Sequence, residues 1–153
     1  MKVLTLRDLY SHAMSIEEMG QRFYEKLSEL YRDEALKALF AKLSEDEKEH
    51  YKFFKTQYDS ETGDFKIEAY KKHLVKELSD KIFNKVKTIK KFISYEEQIE
   101  ILDSLIDVEQ EVLKFFEDLS RYVVLKDVDK MGIIINEEKR HVSELVALRK
   151  KML

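Results

Sequence analysis

Apolar side chains return at steps of three and four along four stretches of this chain, the spacing that places residues on one face of an α-helix. The first stripe is Tyr10, Ala13, Glu17, Gly20, Tyr24, Leu27 and Tyr31, and the second is Leu36, Leu39, Leu43, Glu47, His50 and Phe54. The third is Ile99, Leu102, Ile106, Glu109, Leu113, Phe116 and Val123, and the fourth is Val128, Met131, Ile135, Glu138, His141, Leu145, Leu148 and Met152. These stripes predict helices over about residues 6–31, 34–58, 95–122 and 128–153. Thr5 with Asp8, and Ser94 with Glu97, have the spacing of capping boxes, and Asp33 is a candidate N-cap. Residues 59–64 contain Ser, Thr and Gly and read as a turn. A lysine-rich stretch over residues 65–90 carries Ile67, Tyr70, Leu74, Leu78, Ile82, Val86 and Ile89 at helical spacing, which predicts a helical crossover. The expected architecture is all-α: one domain over residues 1–153, made of a hairpin (6–58), a crossover (59–93) and a second hairpin (94–153).

Every bundle stripe is broken by a glutamate near the middle of its helix, and two also carry a histidine. A carboxylate buried alone costs several kcal/mol, and four aimed at one axis repel one another as well. Two divalent cations would cancel four carboxylates, with the two imidazoles as neutral ligands. The spacing fits this reading. Glu47-Lys48-Glu49-His50 and Glu138-Lys139-Arg140-His141 are both Glu-x-x-His, so glutamate and histidine share one helix face. One glutamate from each of two helices plus Glu-x-x-His from each of the other two is the recurring plan of a two-metal bundle. The halves also repeat in register. Glu17 and Glu109 stand 92 positions apart, while Glu47 and Glu138, and His50 and His141, each stand 91 apart.

On these residues, over about 6–58 and 95–152, the chain resembles the rubrerythrin branch of the ferritin-like di-iron proteins. The resemblance implies a ferritin-like four-helix bundle in which Glu47 and Glu138 bridge two metals. Glu17 and Glu109 would be terminal ligands, and His50 and His141 would each complete one metal. It also implies an oxidoreductase that reduces peroxide or dioxygen at two iron ions, which an external electron-donor protein then re-reduces. Tyr24 matches a family tyrosine that is a redox or hydrogen-bonding neighbour of the site, although a tyrosine at such a position is more often only a core aromatic. The two-domain members add a rubredoxin-like domain with four cysteines, whereas this sequence has none. Three positions after Glu109 those members carry an additional glutamate, where this chain has Val112. Bacterioferritins share the six-ligand pattern but place a haem-binding methionine where Lys48 stands, which argues against a haem-bearing cage.

Composition narrows the alternatives. There is no proline, there are 3 glycines, and 39% of residues are charged, as in long-helix proteins. With no cysteine, any metal must be held by nitrogen and oxygen, a donor set that suits iron but also manganese or zinc. The 31 acidic and 28 basic residues give a net charge of −3, which does not favour a phosphate-driven nucleic-acid binder. No apolar run approaches the ~20 residues that span a bilayer, and no signal peptide is evident. A cytoplasmic homodimer or higher homo-oligomer is expected. Two other readings stay open: an iron-binding ferroxidase or storage protein, and a non-catalytic helical interaction module stabilised by metal. Asp46 and Glu137 precede the paired glutamates and are either solvated acids or hydrogen-bond partners of a histidine across the bundle. His12 and His73 lack an acidic partner three residues before them and read as ordinary residues. The lysines between 66 and 91 are either a solvated face or a surface that steers an acidic donor.

Overall fold

The structure is a computed structural model, and it describes residues 4–61, 66–67, 80, 84, 94–122 and 127–152. Among the described residues four long helices are observed: α1 (Leu6–Leu30), α2 (Glu34–Ser60), α3 (Tyr95–Ser120) and α4 (Val128–Lys150). Their starts are set by short polar side chains. Thr5 Oγ1 accepts from the Asp8 amide at 3.1 Å while Asp8 Oδ2 accepts from the Thr5 amide at 2.9 Å. Ser94 and Glu97 close the same reciprocal pair at the start of α3, and Asp33 Oδ1 accepts from the Leu36 amide at the start of α2. Each bond satisfies an amide that the helix itself leaves without a partner. Only three residues separate α1 from α2, so the two run antiparallel as neighbours. α3 and α4 pair in the same way, and these two hairpins contain most of the close backbone approaches. Between hairpins the backbones come near at few points, and side chains fill the space.

The core runs the length of the bundle. Tyr24, Phe40, Phe54, Leu102, Phe116 and Leu145 are completely buried. Phe54 of α2 meets Phe116 of α3 with ring centroids 5.0 Å apart, and Phe40 stacks on Tyr31 at 5.1 Å. The buried face of each helix is wider than its predicted stripe. Ile16, Phe23, Phe40, Leu105, Val108, Val112 and Ile134 are buried as well, whereas Val128 is exposed.

Two expectations are corrected. α2 continues to Ser60, so the first two residues of the turn assigned to 59–64 are helical, and residues 62–64 of it lie outside the described residues. Lys66 and Ile67, expected in the crossover helix, instead form a short strand β2 (Lys66–Ile67) paired antiparallel with β1 (Leu4–Thr5). Leu4 and Thr5 are extended, and the pairing satisfies backbone groups that α1 does not. Asp80 and Asn84 are helical, as expected. The remainder of the predicted crossover, including His73 and most of the lysines, lies outside the described residues, as do Val123 of the third stripe and Leu153. No helix among the described residues is long and apolar enough to cross a membrane.

Candidate metal centre

The helix midpoints bring all six predicted residues to the bundle axis. Glu17 comes from α1, Glu47 and His50 from α2, Glu109 from α3, and Glu138 and His141 from α4. None is more than 4% exposed, so no bulk water solvates these charges. The ligand-type atoms fall into two groups, each lying within 4.8 Å of one another: Glu17, Glu47, His50 and Glu138; and Glu109, Glu138 and His141. The imidazoles face each other with centroids 6.1 Å apart.

Both histidines turn Nδ1 inward. His50 Nδ1 lies 3.0 Å from Glu138 Oε1 and 3.5 Å from Glu17 Oε2. His141 Nδ1 lies 3.1 Å from Glu47 Oε1 and 3.4 Å from Glu138 Oε2. Both turn Nε2 outward to a carboxylate on the opposite helix. His50 meets Glu137 Oε2 at 2.7 Å, and His141 meets Asp46 Oδ2 at 3.1 Å. Of the two readings of Asp46 and Glu137, the structure favours the hydrogen-bond partner. An acceptor on Nε2 holds the proton there and leaves the Nδ1 lone pair free to bind a metal. Asp46 also accepts from Arg140 at 2.6 Å and faces Lys42 at 3.3 Å. Among the described residues, Glu137 pairs with no Lys or Arg.

The electrostatics show a site short of positive charge. Burial, followed by repulsion from neighbouring carboxylates, raises Glu17 and Glu47 well above the usual carboxylate range. Glu109 is raised for the same reasons. Burial also opposes charge on Glu138, but the two facing imidazoles outweigh it and hold this carboxyl well below its ordinary value. His50 resists the effect of its burial and is pushed up to about 9 by Glu138 and Glu47. His141 is raised further, by Asp46, Glu138 and Glu47 acting against its burial.

Hydrogen bonding leaves the same gap. Glu17 Oε1 and Oε2, Glu47 Oε1, Glu109 Oε2, Glu138 Oε2 and His141 Nδ1 are all buried without a well-directed hydrogen bond, even where His141 Nδ1 stands close to Glu47 Oε1. A buried polar atom without a partner costs about 1–3 kcal/mol, so a cluster of six needs a common cause. A pair of divalent cations suits these residues in both charge and donor type, with nitrogen and carboxylate oxygen and no thiolate. Tyr24 is completely buried, and its hydroxyl donates to Glu109 Oε1 at 2.9 Å, so it is tied to the cluster as well as to the core. Burial, reinforced by Glu109 and Glu47, raises its pKa well above the usual phenol value and keeps the donor protonated. His12 is exposed and lies against Phe115, remote in role from the cluster.

Gly20 is the one stripe residue whose reason appears only in three dimensions. Glycine inside a helix costs about 1 kcal/mol relative to alanine. A Cβ at this position would stand 2.8 Å from Glu47 Oε2 and 3.4 Å from Glu47 Cδ. Gly20→Ala is therefore expected to push the Glu47 carboxylate aside and weaken metal binding roughly tenfold to a hundredfold, the range seen when a ligand's support is disturbed. Metal titration with thermal melts of the metal-free variant would check this. Unchanged affinity would show that Glu47 has room to move.

Comparison with known proteins agrees with this geometry. No curated protein matches the chain in sequence. A crystal structure from Thermotoga maritima, described as that of a ferritin-like diiron-carboxylate protein, superposes with a TM-score of 0.80 at 24% identity, over 100% of this chain and 99% of that one. It shows that the bundle has the ferritin-like fold. The sequence model of the rubrerythrin family matches residues 8–149, nearly the whole length over which the buried carboxylate and histidine cluster is assembled, and the chain belongs to that family.

Proposed function

We propose that the cluster holds two iron ions and that the protein is an oxidoreductase reducing peroxide or dioxygen. The observation that carries this reading is the set of partnerless buried oxygens and nitrogen around two inward-facing Nδ1 atoms. Glu47 and Glu138 would bridge the ions, Glu17 and Glu109 would bind one each, and His50 and His141 would complete them. When bound, a ferrous pair would supply the two electrons that, with two protons, convert hydrogen peroxide to two waters, and an external electron-donor protein would return them.

The chain's own residues set the conditions for this chemistry. Asp46 and Glu137 fix the two imidazoles through Nε2–H, so the ligand nitrogens need not reorient. Tyr24 holds Glu109 by Oε1 and leaves Oε2 turned to the centre. Leu102, Phe116 and Leu145 are fully buried in the same core and help keep water from the charged groups.

The test is anaerobic loading with ferrous iron, followed by metal analysis and optical spectra before and after stoichiometric peroxide or dioxygen. Two irons per chain and an oxo-bridged ferric band, lost in the Glu47→Ala/Glu138→Ala variant, are expected. Fewer than one iron per chain, or no reaction with either oxidant, would leave a metal-free or structural bundle as the better account.

A further inference from the structure

The repeat that builds the cluster is broken in the residues that surround it. Asp46 and Glu137 correspond in the two halves, and each holds the outer nitrogen of a histidine. Asp46, on His141, accepts from Arg140 at 2.6 Å and has Lys42 at 3.3 Å. Glu137, on His50, has neither kind of cation. Lys42 stands four residues before Asp46, whereas the residue four before Glu137 is Ile133, which is 57% exposed. The counterpart of Arg140, 91 positions earlier, is Glu49, which carries the opposite charge and pairs with Lys52 at 3.0 Å. A third break lies inside the bundle. Tyr24 donates to Glu109 Oε1, whereas the residue 92 positions after Tyr24 is Phe116, which has no hydroxyl to give Glu17. Both Glu17 oxygens are buried without a well-directed hydrogen bond, and only one of Glu109 is.

We infer that the two metal positions are unequal: Glu17 and His50 hold their ion more tightly than Glu109 and His141 hold theirs, so the chain fills in a fixed order and can exchange one ion while keeping the other. The inference rests on the reading of the cluster as a two-metal site. All three breaks act in the same direction. A carboxylate on the outer N–H of an imidazole makes the inner nitrogen a stronger donor. Arg140 and Lys42 draw negative charge from Asp46, so His141 receives less of this push than His50 receives from Glu137. Water screens the exposed Lys42, but the direct Arg140 contact remains. Glu137 meets water in place of a cation, a weaker competitor for its charge. Glu17 can offer both oxygens to one ion, while Tyr24 occupies one of Glu109's. Glu47 and Glu138 each approach both imidazoles, so neither of them sets the two positions apart.

Repulsion between neighbouring cations weakens any second ion, so the positions have to be compared one at a time. Glu109→Ala leaves the position of Glu17 and His50, and Glu17→Ala leaves that of Glu109 and His141. Zinc titration is expected to give a dissociation constant roughly tenfold or more lower for Glu109→Ala, the scale on which such neighbours act. In the native full-length chain, one equivalent of zinc should move the ring-nitrogen NMR signals of His50 before those of His141. Ile133→Lys places a cation beside Glu137 as Lys42 stands beside Asp46, and Arg140→Gln removes one from Asp46. Both changes lie on exposed side chains. Together they should even out the filling or reverse its order, which a change in stability alone would not do. Equal constants in the two alanine variants, or zinc divided evenly between the two histidines at one equivalent, would overturn the inference. An order of filling unmoved by the paired surface changes would overturn its assignment to Glu137 and Asp46. A native chain that binds no zinc would defeat the two-metal reading beneath it, a result distinct from two equal positions.

Discussion

Replacing Glu138 by alanine is expected to abolish binding of the metal pair, whereas replacing Glu17 should remove only one ion. Glu138 is the residue common to both candidate groups of ligand atoms. Its Oε1 lies 3.0 Å from His50 Nδ1, and its Oε2 lies 3.4 Å from His141 Nδ1. No other carboxylate among the described residues is shared so evenly between the two imidazoles. Glu47 Oε1 stands 3.1 Å from His141 Nδ1 but 3.9 Å from that of His50. Glu17 belongs to one group. At a free metal concentration a thousandfold above the dissociation constant, each bound ion stabilises the folded chain by about 4 kcal/mol. Native protein should therefore gain roughly twice the stabilisation of Glu17→Ala, and Glu138→Ala should gain almost none. Denaturant melts with and without metal, paired with metal analysis of each variant, give the answer. Two ions retained by Glu138→Ala would refute the bridging role.

The second expected result is a reversal of pH dependence on metal loading. In the metal-free protein, the folded values of Glu17, Glu47 and Glu109 all lie well above the ordinary 4.5. The folded chain then keeps protons that the unfolded chain has lost, so stability falls as pH rises above that value. His50 adds to the slope. Its folded value of about 9 exceeds the ordinary 6.5, so its contribution is complete below pH 6.5 and is lost as pH rises to about 9, on the order of 3 kcal/mol. His141 is shifted in the same direction. Glu138 has the opposite sign, but its effect is confined to pH below 4.5. Metal ions take the place of these protons, so binding releases protons and strengthens as pH rises. Urea unfolding at pH 5.5, 7 and 8.5 should show the metal-free protein weakening and the metal-induced gain growing. Metal-free stability that climbs over this range would contradict the electrostatic account of the cluster.

The six residues gathered at the bundle axis were legible because their signal is periodic. Glu47 with His50, and Glu138 with His141, share a face by spacing alone, and the repeat places Glu17 opposite Glu109. Helix starts at Leu6, Glu34, Tyr95 and Val128 were equally legible, three of them because a Thr, Asp or Ser cap precedes the stripe. What escaped depended on depth and distance. Phe40 and Phe23 lie beside the predicted stripes, and they are buried because a bundle helix covers more than one narrow seam. The pairing of Leu4–Thr5 with Lys66–Ile67 is too short to leave a pattern. The cavity that Ile16, Met19, Leu105 and Val108 line between α1 and α3 is an absence of atoms, and sequence spacing carries no trace of it. Asp46 was open to two readings, and a single hydrogen bond to His141 decides between them, whereas Tyr24 meets both of its readings, buried in the core and bonded to Glu109.

The uneven distribution of close approaches, dense within each hairpin and sparse between them, has a consequence for the order of assembly. Contacts between neighbours in sequence form quickly, so each hairpin is expected to reach a native-like shape early. Docking comes later, because it must close the chain between Ser60 and Tyr95 and bring two clusters of carboxylates together. Metal captured by either half would lower that electrostatic barrier. The ions would then hasten the last step of folding as well as stabilise its product.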